Sequence, residues 1–242
     1  MYSKLYFSIQ YYYTLYFKSY QVFFAIFFEF CRFFRYYDNF RAQKTEILTI
    51  TAACDIIFIE IIFDKENIFM NQTQKDIIER RSCRRFRPDA VAKESIERII
   101  QAGLFAASGR GRQCPIIVAV TDKETRDRLS RVNAEIMGSS GDPFYGAPAV
   151  LVVLAPKDVP THVYDGSLVM GNLMLAAHTE GLGSCWIHRA RETFEREEWK
   201  SWLAELGVEG EYEGIGNCVV GYVDGDYPAV IPRNDGRVFL VE

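Results

Sequence analysis

Several kinds of functional site are missing from this sequence. Its six cysteines form no C-x-x-C pair and have no histidine at zinc-finger spacing. A zinc site or a disulfide framework is therefore not expected, and the thiols are interpreted as single buried or loop residues. The formal net charge of −4 lacks the basic excess typical of nucleic-acid binding. No G-x-S-x-G motif is present, which argues against a hydrolase with a nucleophile elbow.

The first 69 residues contain no glycine, proline or tryptophan, although they hold most of the Phe and Tyr. Glycine and proline are the usual turn residues, so this stretch is hard to fold into a compact domain. Its densest apolar run, Val22–Phe34, is interrupted by Glu29 and Arg32 and is shorter than the roughly 20 residues of a membrane-spanning helix. The stretch also lacks the form of a secretory signal peptide.

The composition of residues 1–69 is the mixture of Phe, Tyr, Ile, Lys and Asn that AT-rich codons specify. We therefore predict a non-native or disordered extension, translated from a start codon upstream of the domain that begins at Met70 and runs over residues 70–242. A peripheral membrane anchor and a genuine additional domain are the two alternatives. The favoured interpretation implies a cytoplasmic protein without membrane attachment.

Beyond residue 70 the hydrophobic spacing predicts alternating helices and strands. Thr73 is expected to cap a first helix that continues to Arg81. Further helices are predicted at Lys93–Ala107, Lys123–Met137, Asp165–Glu180 and Glu192–Leu206, and strands at Ile116–Val120, Ala149–Leu154, Ser184–Ile187 and Ile215–Val223. This pattern favours an α+β fold, a three-layer α/β/α sandwich with a mixed central sheet.

The helix predicted at Asp165–Glu180 carries apolar residues on nearly all sides, and we expect it to be buried all round. Small residues such as Gly171 would let another helix, or a second subunit, approach closely. Gly181 follows the helix and is expected to end it.

Three clusters hold residues suited to ligand binding. The first, 79–87, has five arginines, whose guanidinium groups suit phosphate; a solvated basic turn is the alternative. The second is the loop 108–113, where glycines permit close approach of a ligand and Gln113 offers a donor and an acceptor. This loop follows a helix, which excludes a Rossmann fingerprint. The third is 181–190, where a glycine-rich turn leads to Trp186 and to His188, although a lone histidine of this kind is more often structural than catalytic.

Together these clusters resemble the FMN-dependent nitroreductase family. The matching segments are ERRSCRRF, AASGRGRQCP, PFYGAPAVLVVL, DGSLVMGNLMLAAHTEGLGSCWIHRA and VVGYVDGDYP, in the family's order. The resemblance covers about residues 71–242 and leaves out the first 69.

The resemblance implies a homodimer with FMN at the subunit interface. The phosphate, ribityl chain or ring edge of FMN would be contacted by Arg80, Arg81, Ser82 and Arg84. The flavin would be lined by Ser108 and Gln113 from the loop of the partner subunit. Beside the flavin ring would lie Ile187, His188 and Arg189. A late basic residue, Arg233 or Arg237, would join the phosphate site.

The implied activity is hydride transfer from NADH or NADPH through FMN to an electron-poor small molecule such as a nitroaromatic or a quinone. No catalytic side chain and no metal are needed, because the cofactor carries the chemistry. The alternatives are reductive dehalogenation or dehydrogenation on the same fold, a flavin-binding protein without turnover, and a membrane-attached interaction protein. Gly111 stands where family members commonly carry Asn, which bears on substrate preference.

Overall fold

A computed structural model describes residues 70–241. The predictions for residues 1–69 therefore lie outside the described residues and stay predictions. Between residues 70 and 241 there is no helix that is both long enough and apolar enough to span a membrane.

Six helices and four strands make up the described part of the chain. The helices are α1 (Gln72–Glu79), α2 (Lys93–Leu104), α3 (Lys123–Met137), α4 (His162–Thr179), α5 (Ala190–Phe194) and α6 (Glu197–Glu205), and the strands are β1 (Ile116–Val120), β2 (Ala149–Pro156), β3 (Gly183–Ile187) and β4 (Tyr212–Gly221). The predicted bounds of β1 and α3 are confirmed. Asp122 caps α3, and Gly138 ends it in the left-handed conformation, with φ of 70°.

The strands form one sheet in the order β1-β2-β4-β3, and all three pairings are antiparallel. Parallel pairing is present as a single bridge between Ser82 and Ser184. The α+β class is confirmed, but the four-stranded sheet of residues 70–241 is antiparallel and not mixed, because the one parallel pairing is an isolated bridge. Every residue of β2 except Pro156 is buried, since helices cover both faces of the sheet.

Two hydrophobic cores lie on the two faces of the sheet. One contains Leu129 of α3, Phe194 of α5 and Trp199 of α6. The other contains residues of α2 and α4, including Ile99, Met170 and Leu173. Helices on each side of a central sheet give the predicted three layers. A Cβ at Gly103 would lie 2.6 Å from the Leu173 side chain, so glycine at this position allows α2 and α4 to pack closely.

Helix α4 is buried on one side only, so the prediction of complete burial does not describe the single chain. Val169, Met170 and Leu173 face the core. Tyr164, Leu168 and Gly171, spaced by four and three residues, are exposed and share one face. We call this face the exposed stripe. The apolar composition therefore reflects a core face plus a second apolar face that the other residues in 70–241 leave uncovered.

Three local predictions were wrong. Asn71, not Thr73, caps α1, because its side chain accepts from the Gln74 N–H in a capping box. Helix α1 ends at Glu79, before Arg81. The predicted helix Glu192–Leu206 is two helices, α5 and α6, with Arg196 as the extended residue that begins the second. Each difference depends on the backbone geometry at a helix end, which hydrophobic spacing does not predict.

The segment 80–87 has no helical or strand partner close to it in sequence and is held by residues far along the chain. The Cys83 N–H donates to the Ser184 carbonyl at 2.9 Å. Phe86 forms a bridge with Val223. The Tyr227 hydroxyl accepts from the Arg81 N–H at 2.9 Å. The beginning of the described domain is therefore fastened to its end.

Candidate functional site

The arginine segment 80–84 runs beside the edge strand β3. The Ser82–Ser184 bridge and the Cys83 hydrogen bond fix its register. A Cβ at Gly183 would lie 2.9 Å from the Cβ of Cys83, so the close approach of segment and strand requires glycine there. The segment is thus a rigid backbone from which arginine side chains project.

Arg80 has an unsatisfied guanidinium group. Its side chain makes no hydrogen bond or ion pair with any residue in 70–241, and its Nη1 atom is fully buried. Leaving a buried charged donor unpaired costs free energy, so such a group is expected to meet an anion. This is the strongest single indication of a binding site in the described residues.

Arg81 points elsewhere. Its Nε donates to the Ala229 carbonyl at 3.3 Å, and its Nη1 donates to the Arg80 carbonyl. The remaining nitrogen, Nη2, is buried without a partner among the described residues. Arg81 therefore fastens the C-terminal segment and keeps one donor free, and its contact with FMN stays a prediction.

Three of the residues predicted for the phosphate site, Arg80, Ser82 and Arg84, act on the thiol of Cys185. Burial raises the pKa of Cys185, while the charges of Arg84 and Arg80 and a hydrogen bond with Ser82 act to lower it. All three residues therefore lie near enough to Cys185 to affect its pKa. Arg84 is exposed and has no acidic partner in residues 70–241.

The loop 108–113 is held in an unusual conformation. Arg110, Gly111 and Gln113 have φ of 55°, 66° and 52°, in the left-handed region. The Gln113 N–H donates to Ser108 Oγ at 2.9 Å. The Gly109 N–H donates to Asp165 Oδ1 at 2.9 Å. Non-glycine residues in this region signal a conformation that the surroundings impose, which is common at ligand sites.

Asp165 is the anchor of this loop, and sequence reasoning missed it. The residue is 3% exposed and also accepts from Thr161 Oγ1 at 2.9 Å. Burial raises the pKa of the nearby Cys114, and the charge of Asp165 adds to the effect. The only signal in the sequence is an acidic residue in the first turn of an apolar helix, which reads equally well as a helix-dipole contact.

The segment 187–189 leads from β3 into α5. Ile187 is buried, His188 is exposed, and Arg189 has φ of 73°. Asn133 Nδ2 donates to the His188 carbonyl at 2.7 Å, and Thr193 Oγ1 donates to the Arg189 carbonyl at 2.8 Å. The backbone is therefore fixed by buried side chains. The side chains of His188 and Arg189 form no hydrogen bond within the described part of the chain.

Asn133 is the second functional candidate that sequence reasoning missed. It is fully buried in α3, 55 residues before the carbonyl that it holds. Its Oδ1 has no partner in residues 70–241. An asparagine in a charged helix reads locally as a surface residue, so no sequence signal could have identified it.

One chain does not bring all three clusters together. The loop 108–113 is fastened to Asp165, in the first turn of α4. The arginine segment lies near the other end of that helix, where Ser184 Oγ donates to the Met174 carbonyl and Tyr227 Oη contacts His178 Nδ1 at 3.0 Å. Asp165 is 9 residues from Met174 and 13 from His178, which is about 14–20 Å along a helix.

The candidates in the C-terminal tail are not drawn into the site. Arg233 and Arg237 are exposed, and neither forms an ion pair with a described residue. Apolar residues of the tail are exposed with them: Val230, Ile231, Val238, Phe239, Leu240 and Val241. The role of Arg233 in the phosphate site stays a prediction.

A cavity of about 550 Å³ lies elsewhere, lined by residues that include Arg126, Ser130 and Asp142. None of its lining residues belongs to the three clusters, so it is not the candidate site. Within residues 70–241, no group of three or more His, Cys, Asp or Glu side chains is placed to hold a metal ion. The four cysteines in this range are free.

The three clusters together contain cationic hydrogen-bond donors suited to an anion and neutral polar groups suited to the rest of a ligand. Unpaired guanidinium nitrogens lie at the arginine segment, and an amide side chain and a histidine lie at the other two clusters. None of the segments 80–87, 108–115 and 187–191 contains a carboxylate. Such a set suits a planar ligand that carries a phosphate group.

Comparison with known proteins gives one consistent answer. The model of the nitroreductase family matches residues 77–227. An Archaeoglobus fulgidus protein named NADH dehydrogenase/NAD(P)H nitroreductase is 30% identical over 142 residues, which span 57% of this chain and 76% of that protein.

Two solved structures share the fold. The FMN-bound nitroreductase of Bacteroides fragilis aligns with a TM-score of 0.66 at 24% identity, over 72% of this chain and all of its own. The FMN-bound nitroreductase of Desulfitobacterium hafniense aligns with a TM-score of 0.64 at 25% identity, again over 72% of this chain and all of its own.

Proposed function

Because the chain belongs to the nitroreductase family, we propose that it binds FMN and moves electrons from NADH or NADPH to an electron-poor small molecule, such as a nitroaromatic or a quinone. The observation that carries this proposal is the buried, unpaired Nη1 of Arg80 beside Ser82 and Arg84. The FMN of the Desulfitobacterium relative and the NAD(P)H in the archaeal relative's name support it.

The residues of the arginine segment fit the phosphate end of FMN. Arg80 would donate to the phosphate, which would give its buried Nη1 a hydrogen-bond acceptor. Arg84 and the Ser82 hydroxyl would bind the same group or the ribityl chain. Charge-assisted bonds of this kind are short and strong, and a rigid backbone lowers the entropy cost of forming them.

When bound, FMN supplies the hydride chemistry and the protein supplies orientation and electrostatics. The chain's own contribution begins with the backbone at Ile187–Arg189, which Asn133 and Thr193 hold rigid. Fixed N–H groups and nearby arginines stabilise negative charge that develops beside them. No side-chain nucleophile or general base is required.

We also propose that the working form is a homodimer. In one chain the loop 108–113 and the residues that hold the arginine segment contact α4 at points about 14–20 Å apart along the helix. A second chain could supply the missing loop to each site. The exposed stripe on α4 and the apolar tail offer the surfaces for this contact, because contiguous exposed apolar residues mark interaction sites.

The test is a spectrum followed by an assay. The purified full chain should show the absorbance of bound flavin and should oxidise NADH or NADPH in the presence of a nitroaromatic or menadione. Bound flavin without turnover would support the alternative of a non-catalytic flavin-binding protein. A protein that neither retains added FMN nor oxidises either nicotinamide would overturn the proposal.

A further inference from the structure

The arginines of the described part divide by whether an acid pairs with them. Seven form ion pairs with Asp or Glu: Arg85, Arg87, Arg98, Arg126, Arg128, Arg191 and Arg196. Six of those without an acidic partner in residues 70–241 lie on the three candidate segments: Arg80, Arg81, Arg84, Arg110, Arg112 and Arg189. Arginine charge without an acidic partner is therefore concentrated on these three segments, in a chain whose net charge is −4.

This charge exceeds what the cofactor needs. A phosphate monoester carries about 1.5 to 2 negative charges at neutral pH. Arg80 and Arg84 alone match it. Arg110 and Arg112 lie on a different segment, the loop 108–113, and remain without a counter-ion among the described residues. Their charge is available for a second anionic group.

The loop presents these two arginines from a fixed backbone. The Gly111 N–H donates to the Ser108 carbonyl at 3.0 Å, and the Arg112 N–H donates to the Gly109 carbonyl at 3.3 Å. The buried Asp165 fastens the loop to α4. Apart from the neighbouring arginines themselves, nothing lies within 4 Å of the position that a Cβ would take on Gly111, so the space beside this glycine is open. A loop ordered before binding loses less entropy when a ligand arrives.

We propose that Arg110 and Arg112 recognise an anionic group, a carboxylate or a phosphate, on the substrate that enters the flavin site. This inference rests on the proposed function. The group belongs either to the electron acceptor or to the 2′-phosphate of NADPH. Bidentate guanidinium contacts suit both, because carboxylate and phosphate oxygens have the matching geometry.

The test is the double variant Arg110→Gln/Arg112→Gln, with Arg131→Gln as the control. Arg131 is an exposed arginine of α3, away from the three clusters and without an ion pair in residues 70–241. Two ratios of kcat/KM are measured: 4-nitrobenzoate against nitrobenzene, and NADPH against NADH. A fall of roughly tenfold or more in either ratio, the size expected for loss of a charge-assisted hydrogen bond, supports the proposal and identifies the source of the anion.

Two unchanged ratios, within about twofold of wild type and of the Arg131→Gln control, overturn the proposal. If the double variant does not fold, each single variant is measured in the same way, and the wild type is assayed at rising salt. Screening should lower kcat/KM for the anionic substrate more than for its neutral analogue. Equal salt dependence overturns the proposal.

The failure of the proposed function has a different signature. It appears as absent flavin or absent turnover with every acceptor, neutral ones included. The charge preference is then measured by calorimetric titration of the wild-type chain and the double variant with 4-nitrobenzoate and nitrobenzene. Preference for the anion that the double variant loses supports the proposal, and equal affinities overturn it.

Discussion

Two arginines of this domain, Arg126 and Arg80, differ in the partners that the structure gives their guanidinium groups. Arg126 is buried in α3, where it donates to the Ala147 carbonyl at 2.9 Å and pairs with Asp127 and Asp142. Arg80 is half-buried beside β3 and has no partner within residues 70–241, and its Nη1 is fully enclosed. One guanidinium group is satisfied by its own chain, and the other is not.

The presence or absence of partners within the chain distinguishes Arg126, which stabilises the fold, from Arg80, which we propose binds a ligand. Asp142 gathers Arg126, Ser130 and the backbone N–H groups of Phe144 and Gly146, and so fixes the loop that precedes β2. Removing Arg126 should damage the protein itself. Removing Arg80 should damage only its complex with FMN.

The largest effect is expected for Arg126→Ala. The variant leaves Asp142 without its cation and the Ala147 carbonyl without its donor. We expect a loss of about 3 kcal/mol in the free energy of unfolding. Urea denaturation measures it, with Arg131→Ala on the same helix as the control, for which a change within about 0.5 kcal/mol is expected. Equal effects of the two substitutions would contradict a structural role for Arg126.

Arg80→Ala should have the reverse profile. Hydrogen bonds to charged groups contribute roughly 1.5–3 kcal/mol, so FMN affinity should fall by about one to two powers of ten. The free energy of unfolding of the apoprotein should stay the same or rise, because an unsatisfied buried donor is removed. Titration of apoprotein with FMN measures the first quantity. Unchanged affinity would remove Arg80 from the site.

Gly171→Leu tests whether the flavin site needs a second chain. Gly171 is exposed on the stripe of α4, and no atom lies within 4 Å of a Cβ placed there, so the subunit itself accommodates leucine. In a dimer packed through this stripe, overpacking should cost about 1–3 kcal/mol and release FMN as the dimer dissociates. Sedimentation and absorbance are measured on the same sample. A monomer that keeps its flavin would show that one chain builds the site.

A smaller effect is expected in the pH dependence of stability that comes from Asp142, the ion-pair partner of Arg126. Burial acts to raise the pKa of Asp142, but the hydrogen bonds from Ser130, Arg126 and the loop backbone outweigh it and lower the pKa. The carboxylate therefore stabilises the fold above the pKa of the unfolded chain, about 3.9, and this stabilisation is lost as the pH falls through the folded value. The Tm difference between wild type and Asp142→Asn should shrink below about pH 4. A constant difference would contradict the assignment.

Removal of residues 1–69 is expected to leave flavin binding and Tm unchanged. A chain that starts at Met70 should hold FMN and melt as the full chain does, because both arginine regions draw their partners from residues 80–229. Flavin content and Tm of the two proteins are compared. Loss of flavin from the shorter chain would show that residues 1–69 take part in the domain.

Local signals predicted the elements whose ends are marked by local chemistry. Helix α3 begins after the capping Asp122 and ends at Gly138, and its predicted bounds are correct. The tight end of α4 at Gly181 was also predicted, and the Leu182 N–H bonds the Ala177 carbonyl there, as in a Schellman motif. Hydrophobic spacing also predicted α4, but it could not tell the core face from the exposed stripe.

The roles of Arg80, Ser82 and Arg84 in the phosphate site come from the family resemblance and stay predictions. The supports of the other two clusters were not predicted. Asn133 reaches 55 residues ahead to His188, and Asp165 reaches 56 residues back to Gly109. Contacts of this length depend on the three-dimensional arrangement of the sheet and helices, and leave no pattern in the residues beside them. Family resemblance suggested the candidate binding residues, and only the structure identified Asn133 and Asp165, which hold their backbone in place.

The fastening of segment 80–87 to the end of the domain sets the order of events during synthesis. Its partners are Ser184, Tyr222, Val223, Asp224, Tyr227 and Ala229. Tyr227 is made 147 residues after Arg80, which at 5–20 residues per second takes about 7–30 s. Until Ser184 is made, the arginine segment on the nascent chain has no strand beside it, and until Tyr227 is made it lacks the hydrogen bond from the Arg81 N–H to that hydroxyl. The segment 80–87 therefore reaches its final position late in synthesis, when most of the domain has been made.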